Sequence, residues 1–389
     1  MRILQVVPYF APAWGYGGPP RIVLDACREL ARRGHAVEVV TTDALDGTSR
    51  VGKRTDTVEG IPVTYLPNVS NSLAWNQKVF WPRGARAELA RAVGACDVAH
   101  LTDFRTGLHL VAHGALVRAR VPYVLQPCGA LPRAGGVKKL LKLAFDVAGG
   151  FALVRDAGAL IATSEHERRE FLALGGRGAA VRIVPHAVDA AEFDTLPARG
   201  AFRAAHGIDE NALVVLFLGR INEHKGIEPL LRAFAGLAGA RLVVVGRDDG
   251  FLERARGLAR ELGIAERVLF PGPVYGRERL GAYVDADLFA ITPSHHEETS
   301  VAALEALACG TPALVTEQAP VPGMVEAGAG ACVPCEVGAI RAALSELTSD
   351  VARLRTMGAA GRRHVLARFT WPVVVDQLEA AYRAAGAAT

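Results

Sequence analysis

The sequence contains no run of about 18 uncharged apolar residues, the length a membrane-spanning helix requires. Its best candidate, Leu143 to Ala162, is broken by Asp146, Arg155 and Asp156. The N-terminal run Ile3 to Val7 is too short for a secretion signal and leads straight into Pro8, with no small-residue cleavage site after it. These absences predict a soluble, cytoplasmic chain. Cysteine is scarce as well: six in 389 residues (27, 96, 128, 309, 332 and 335) fit reduced thiols better than a bridged framework. Cys332 and Cys335 have the spacing of a redox pair, but no second such pair exists to complete a zinc site, and the flanking Val and Pro read as an ordinary strand end. No short-period repeat, low-complexity segment, RNP-like motif or helix-turn-helix signature occurs. Collagen-like, disordered and nucleic-acid-binding classes are thereby set aside.

At roughly 100–200 residues per domain, 389 residues suggest two domains, or three small ones. Short apolar runs alternate with amphipathic helical patterns throughout. Strands are expected at 3–7, 37–41, 98–101, 123–125, 160–163 and 182–184, then at 213–218, 241–245, 268–270, 288–292 and 313–316. Helices are expected at 20–33, 230–237 and 302–309. Alternation of short β-branched strands with helices implies parallel sheets covered on both faces. The break between halves falls in the stretch 185–212, which has Pro197, Gly200 and Gly207 but no long strand. The halves differ in charge: residues 1–185 hold 24 basic and 15 acidic side chains, whereas 186–389 hold 20 and 25. The basic half suits an anionic surface.

Three segments carry chemistry. After the first strand, Gly15, Gly17 and Gly18 precede a helix that opens with Pro19-Pro20, so side chains are absent where a helix N-terminus meets an anion. About a dozen residues separate that strand from the helix, far more than in a dinucleotide-binding turn, and GYGGPP does not match its glycine spacing. In the second half, Gly219-Arg220 and Lys225-Gly226 place two cations at a strand end, a fork and a point charge for phosphate oxygens. Finally, Glu297 and Glu305 bracket the start of an apolar helix that stops at Gly310. Glu297 can accept from sugar hydroxyls, and the amides of Thr299 to Ala302 face outward at the helix start. Glu305 lies within Ala302-Ala-Leu-Glu-Ala-Leu-Ala and requires a partner, such as the vicinal hydroxyls of a ribose. Two other readings compete. His295-His296-Glu297-Glu298 resembles a metal-ligand set, though adjacent strand residues point to opposite faces and no HExxH spacing is present. The two glutamates also resemble a hydrolase acid/base pair, whose separation no sequence shows.

Taken together these segments resemble the retaining glycosyltransferases of family 4, which have the GT-B fold. The likeness runs through the Gly-rich loop with RGHAVEVVTT after it, DVAHL (97–101), ATSEHERREFLALG (162–175), RIVPHAVD (182–189), FLGRINEHKG, VLFPGPV (268–274) and the E-x7-E block ending in ALACGTP. The resemblance implies an α/β chain of two Rossmann-like doubly wound parallel-sheet domains facing a deep cleft: an acceptor domain (1–187), a nucleotide-sugar domain (188–370) and a final helix (371–389) returning to the first. It implies sugar transfer from a nucleotide-diphosphate donor, GDP- or UDP-linked, with retention and without a metal or other cofactor. Carried over, Arg220 and Lys225 would bind the diphosphate and stabilise leaving-group charge, Glu297 the transferred sugar and Glu305 the ribose. Gly17 and Gly18 would approach the donor, the backbone at Pro273-Val274 the base, and Thr299, Ser300 and Val301 would supply amides. Two positions depart from the pattern. Glu297-Glu-Thr-Ser300 stands where EGFG is common, and Cys128 where many members have a histidine.

The acceptor, a saccharide or a lipid-linked one, is expected on the basic N-terminal half, with Asp103 and Cys128 as acceptor-side candidates. Asp103 also reads simply as a surface-loop acid. Trp75, Lys78, Phe80, Trp81 and Arg83 interleave aromatics with cations, and Arg133, Lys138, Lys139 and Lys142 flank Leu140, Leu141 and Phe145 on an amphipathic helix. Such a helix suits an anionic membrane surface, and the enzyme would then build a surface polysaccharide or lipopolysaccharide; the plain alternative is a packed core helix. Other function classes remain open here: a GT-B-fold nucleotide-sugar epimerase or phosphorylase, or a non-catalytic sugar-nucleotide sensor.

Overall fold

The computed structural model describes residues 1–132 and 137–387, with the side chains of 137 and 138 left undescribed. The chain divides into two compact units: unit 1 is Met1–Pro185 with Trp371–Thr389, and unit 2 is His186–Thr370.

Unit 1 contains β1 (Arg2–Val6), β2 (Ala36–Thr42), β3 (Thr55–Val58), β4 (Ile61–Leu66), β5 (Val98–Thr102), β6 (Tyr123–Gln126), β7 (Ala159–Ala162) and β8 (Val181–Ile183). Among the described residues they form a sheet in the order β3-β4-β2-β1-β5-β6-β7-β8. All neighbours are parallel except β3 and β4, an antiparallel hairpin closed by Glu59 (φ 48°) and Gly60 (φ 84°). Two successive positive φ values match the right-handed twist of the flanking strands. The sequence expectation missed this hairpin because β3 is short and polar, TDTV, at the sheet edge. Central strands are fully buried, as β5 is along its whole length. Continuous apolar runs are the mark of a parallel sheet with helices on both faces. The first helix, Pro19–Arg32, buries Val23, Leu24, Cys27 and Leu30, with Ile22 and Ala26 half-buried at the margin of that face. The last helix, Trp371–Ala384, packs against it. Arg33 binds Asp376 and Glu379 of that helix, and the buried His100 meets the Tyr382 hydroxyl at 2.9 Å.

Unit 2 contains β9 (Leu213–Leu218), β10 (Ala240–Val245), β11 (Val268–Gly272), β12 (Leu288–Ile291), β13 (Ala313–Thr316) and β14 (Gly330–Val333), all parallel, in the order β11-β10-β9-β12-β13-β14. Cys332 lies in β14 and Cys335 just beyond it, both as free thiols. The helix after β9 is Ile227–Phe234, three residues earlier than its periodicity predicts. Gly226 at φ 73° turns the chain, and Ile227 is buried at once.

In each sheet the chain winds outward from a central strand and then restarts on that strand's other side. The restart lies between β1 and β5 in unit 1, and between β9 and β12 in unit 2. Loops diverge at the C-terminal ends of such a strand pair, which is where open α/β sheets bind ligands.

Candidate functional site

In unit 2 the loop after β9 carries Arg220 and Lys225, and the loop after β12 carries Glu297. Segment 292–300 is irregular rather than strand, so the strand-alternation argument applied to its His-His-Glu-Glu run does not hold. His295 instead meets His224, with the two Nδ1 atoms 3.1 Å apart. Among the described residues no group of three His, Cys, Asp or Glu is placed to hold a metal ion.

The two loops close because of Gly226. A Cβ there would sit 1.5 Å from the Thr292 carbonyl oxygen, so only glycine allows this approach. Thr292 Oγ1 donates to the Gly226 carbonyl at 2.8 Å, and the Asn222 side chain accepts from the Lys225 amide at 3.1 Å. Lys225 Nζ then reaches Glu297 Oε1 at 2.5 Å. Arg220 pairs with Asp249 at 2.8 Å, and Asn222 donates to the same carboxylate at 3.2 Å. Lys225 is thus half-buried against a carboxylate, whereas Arg220 and Asp249 form an exposed surface pair.

Glu305 lies in the second turn of the helix Val301–Ala308, with Ser300 as N-cap accepting from the Ala303 amide. The capped helix leaves its first amides, Val301 among them, without acceptors inside the helix. The partner that Glu305 required is a pair of side chains from the helix Gly276–Asp285: the Tyr283 hydroxyl donates to Oε2 at 3.0 Å and Arg279 contacts Oε1 at 3.1 Å. Arg279 also binds Glu192 at 2.6 Å. Burial alone would lower the Arg279 pKa, but the charges of Glu305 and Glu192 raise it overall. Burial, reinforced by Glu305, raises Tyr283 well above the ordinary phenol range, keeping it a proton donor. Sequence reasoning missed Arg279, Tyr283 and Glu192, since each is ordinary in its own helix and meets the others only in the fold. Val274 buries its side chain in the unit 2 core, which leaves its backbone as the available surface.

In unit 1 the Gly-rich segment is a structured turn. Gly17 has φ 98°, while Gly18 has helical angles and begins the helix Pro19–Arg32. Neither backbone position is crowded: a Cβ at Gly17 would meet nothing, and one at Gly18 only Ile22 at 3.9 Å. Between the glycines Tyr16 stacks on Tyr9, centroids 4.5 Å apart with planes 9° apart, and the Lys78 ammonium lies 4.7 Å from the Tyr16 ring centre.

Asp103 is not the surface acid that its loop position suggested. The Tyr9 hydroxyl donates to its Oδ2 at 3.0 Å and the Phe104 amide donates to Oδ1. Burial raises its carboxyl to about 6, against smaller lowering contributions from these hydrogen bonds and from Lys78 and Lys142. Next to it, Arg105 clamps the buried Asp146 with two nitrogens and donates to the Ala130 and Leu131 carbonyls at 2.7 Å each. Cys128 adopts φ 49° in the loop after β6, whose Gly129 amide donates to Glu167 at 2.7 Å. Arg105 gave no motif to find, and Glu167 stood inside the segment 162–175 without being singled out. Asp146 was visible only as a break in an apolar stretch.

The basic helix, Val137–Phe145, is not a core helix. Leu140 and Leu141 are 67% exposed, and Leu143, Val147 and Phe151 continue the apolar surface. Lys142 is half-buried and donates to the Pro132 carbonyl at 2.7 Å. Arg133 and the Lys138 side chain lie outside the described residues. Phe145 is half-buried, edge-on to Phe104.

Comparison with known proteins agrees with this architecture. Residues 17–187 match the model described as "Glycosyl transferase 4-like domain" and 198–364 that of "Glycosyl transferases group 1". A D-inositol 3-phosphate glycosyltransferase of Mycolicibacterium gilvum is 32% identical over 96% of this chain and 86% of its own. That of Kineococcus radiotolerans is 30% identical over 97% and 93%. Among solved structures, sucrose-phosphate synthase of Thermosynechococcus elongatus superposes with TM-score 0.74 at 21% identity, covering 98% of both chains. HepE of Anabaena, in complex with UDP and glucose, gives 0.76 at 20% identity over 98% of this chain and 99% of its own. The lipopolysaccharide glycosyltransferase WaaG gives 0.70 at 18% identity, covering 98% and 100%. Two parallel-sheet units of this topology, matched along nearly their whole length, place the chain in the group 1 glycosyltransferases of family 4 type, with the GT-B fold.

Proposed function

We propose that this glycosyltransferase moves a hexose from a UDP-linked donor to a hydroxyl of a saccharide or phosphorylated polyol, retaining the anomeric configuration. The observation that carries this is Glu305: a carboxylate in an apolar helix, held in one orientation by Tyr283 and Arg279 beside the helix start. A fixed acceptor of that kind suits the paired hydroxyls of a ribose. Arg220 and Lys225 meet the diphosphate, exchanging Asp249 and Glu297 for phosphate oxygens, and stabilise the charge that develops on the leaving group. Glu297, so released, takes the sugar hydroxyls. The amides of Thr299, Ser300 and Val301 add donors, Val274 offers its backbone to the base, and Gly17 and Gly18 leave room for the donor. The uridine preference draws on HepE, solved with UDP and with UDP-glucose, and the polyol on the inositol phosphate glycosyltransferases. Two cations already serve the diphosphate, so the reaction runs without a metal or other cofactor, and EDTA leaves the rate unchanged.

The test is calorimetric binding of UDP, GDP, ADP, dTDP and CMP to the wild type and to Glu305→Ala. UDP binding in the micromolar range that weakens at least tenfold in the variant supports the reading, and GDP binding in its place moves the donor class. No nucleotide binding, or no effect of the substitution, overturns it. The product's anomeric proton coupling tests retention.

The exposed apolar face of residues 140–151, with Lys139 beside it, further suits a peripheral place on an anionic, cytoplasmic membrane leaflet, where a lipid-linked acceptor of surface-polysaccharide or lipopolysaccharide assembly would be met. No described helix is long and apolar enough to cross a membrane. Leu140→Ser/Leu141→Ser is expected to abolish sedimentation with phosphatidylglycerol vesicles at low salt. Wild-type protein that stays in the supernatant removes this part of the proposal.

A further inference from the structure

Tyr275 of unit 2 is 73% exposed, more than any other large aromatic side chain among the described residues. Its ring and its hydroxyl meet no partner among those residues. A single exposed ring is common on a protein surface, so its place in the fold has to give it meaning.

That place is the start of the helix whose side chains hold Glu305. After β11 the chain runs through Pro273, Val274 and Tyr275 into the helix Gly276–Asp285, with Tyr275 as its N-cap. The backbone there is extended, at φ −138° and ψ 163°, and the side chain caps no amide. Glu278, at the position from which a capping glutamate reaches back, pairs with His206 at 3.6 Å instead. The ring therefore serves neither the helix start nor the core. Val274 turns its side chain into the core, and Tyr275, next in an extended chain, is turned outward.

The Tyr275 carbonyl accepts from the Arg279 amide at 3.4 Å, which closes the first turn. Tyr275, Arg279 and Tyr283 thus follow one another at four-residue intervals, the spacing of one helix face. Arg279 and Tyr283 hold the two Glu305 oxygens. One turn nearer the helix start, about 6 Å along the axis, this face ends in the unpartnered ring of Tyr275. Tyr283, at its other end, is fully buried. Only the Tyr275 end offers an aromatic surface open to a ligand.

We propose that Tyr275 stacks on the nucleobase of the donor, while the Val274 backbone meets the edge of that base. The inference rests on the nucleotide-sugar reading and adds to it a residue that binds the base by its face. A nucleoside whose ribose hydroxyls sit on Glu305 carries its base one ring further on, a span comparable with one helical turn. Stacking asks only for a π face, so the ring adds affinity for any base and leaves the choice among bases to contacts at the base edge. The phenol hydroxyl takes no part.

The test is titration of UDP into the wild type, Tyr275→Ala and Tyr275→Phe, with GDP in its place if that is the nucleotide the wild type binds. Tyr275→Ala should weaken binding at least fivefold, whereas Tyr275→Phe should stay within twofold of wild type. Melting temperatures of all three should agree, since an exposed, unpartnered side chain supports nothing else in the fold. Tyr275→Trp gives a readout that a structural role would not move: saturation with the nucleotide should quench the indole fluorescence that this variant adds to the wild-type signal. Undiminished binding by Tyr275→Ala, an equal loss in Tyr275→Phe, or an unquenched Tyr275→Trp overturns the inference and leaves the donor reading intact. A wild type that binds neither nucleotide overturns the donor reading, and the inference falls with it.

Discussion

In unit 1 the residue that faces a carboxylate across the strand ends is a neutral phenol, whereas in unit 2 it is an ammonium. The topology of the two sheets is alike at this point: each has its central strand flanked by the strand where winding restarts, and each places one loop residue against another across that gap. The side chains differ in what they leave for a ligand. Lys225 and Arg220 bring positive charge, which Glu297 and Asp249 meet. Tyr9 contributes no charge and donates a hydrogen bond to Asp103. A single architecture thus carries an ion pair at the strand ends of one unit and a phenol–carboxylate pair at those of the other.

The means of construction differ as well, and this is where the comparison can be broken. Unit 2 closes its loops by close backbone approach at Gly226; unit 1 does so by buried side-chain clamps at Arg105 and Glu167. The largest effect is expected for Gly226→Val, whose side chain would collide with the Thr292 backbone. It should destabilise unit 2 by more than about 4 kcal/mol in urea titration and abolish nucleotide binding. Next comes Arg105→Ala, which strands the fully buried Asp146 without its bidentate partner. A loss of about 3–5 kcal/mol is expected, read as a lowered melting temperature, and Asp146→Asn in the same background should recover part of it. If Arg105→Ala left stability unchanged, the clamp would not be what holds the strained loops.

Smaller again is Arg279→Ala, which leaves Glu305 held by Tyr283 alone. UDP affinity should fall about tenfold, equivalent to about 1.4 kcal/mol, with little change in melting temperature. The reverse pattern would make Arg279 a structural residue only. The last variant sharpens the unit 1 side through its pH dependence. Asp103 has a folded-state pKa of about 6, above its ordinary 3.8, so folding is favoured by its protonated form and that contribution is lost as pH rises through about 6. Asp103→Asn should therefore melt like the wild type near pH 4 and slightly above it at pH 8. Equal melting-temperature differences at both pH values would contradict a carboxyl raised by its surroundings.

How far the site was legible in the sequence follows from what kind of interaction makes it. Arg220, Lys225, Glu297 and Glu305 could be singled out because each breaks a local rule: cations at a strand end, a carboxylate inside an apolar helix. The fold sets Lys225 against Glu297, Arg220 against Asp249, and Glu305 against Arg279 and Tyr283. Asp103 was noticed and undervalued, since a lone acid after a strand is usually solvated. Tyr9, Arg105, Asp146, Glu167, Arg279 and Tyr283 break no local rule that points to a partner. The helix at 137–145 shows the opposite failure: its amphipathic pattern was plain, but pattern alone does not say whether the apolar face finds a core, and here Leu140 and Leu141 do not.

The sequence by itself determined the alternation of strands and helices, two doubly wound sheets and the family, because short-range periodicity and the order of motifs survive without any knowledge of contacts. Only the tertiary structure decided which charges meet. Lys225 and Glu297 are 72 positions apart, and Tyr9 and Asp103 are 94 apart. Pairings over such separations depend on which strands become neighbours in the sheet, and on glycine allowing two backbones to touch at Gly226. The acidity of Asp103 was likewise decided there, because burial, which outweighs the Tyr9 and Phe104 hydrogen bonds and the charges of Lys78 and Lys142, is a property of its surroundings in space rather than of its neighbours in the chain.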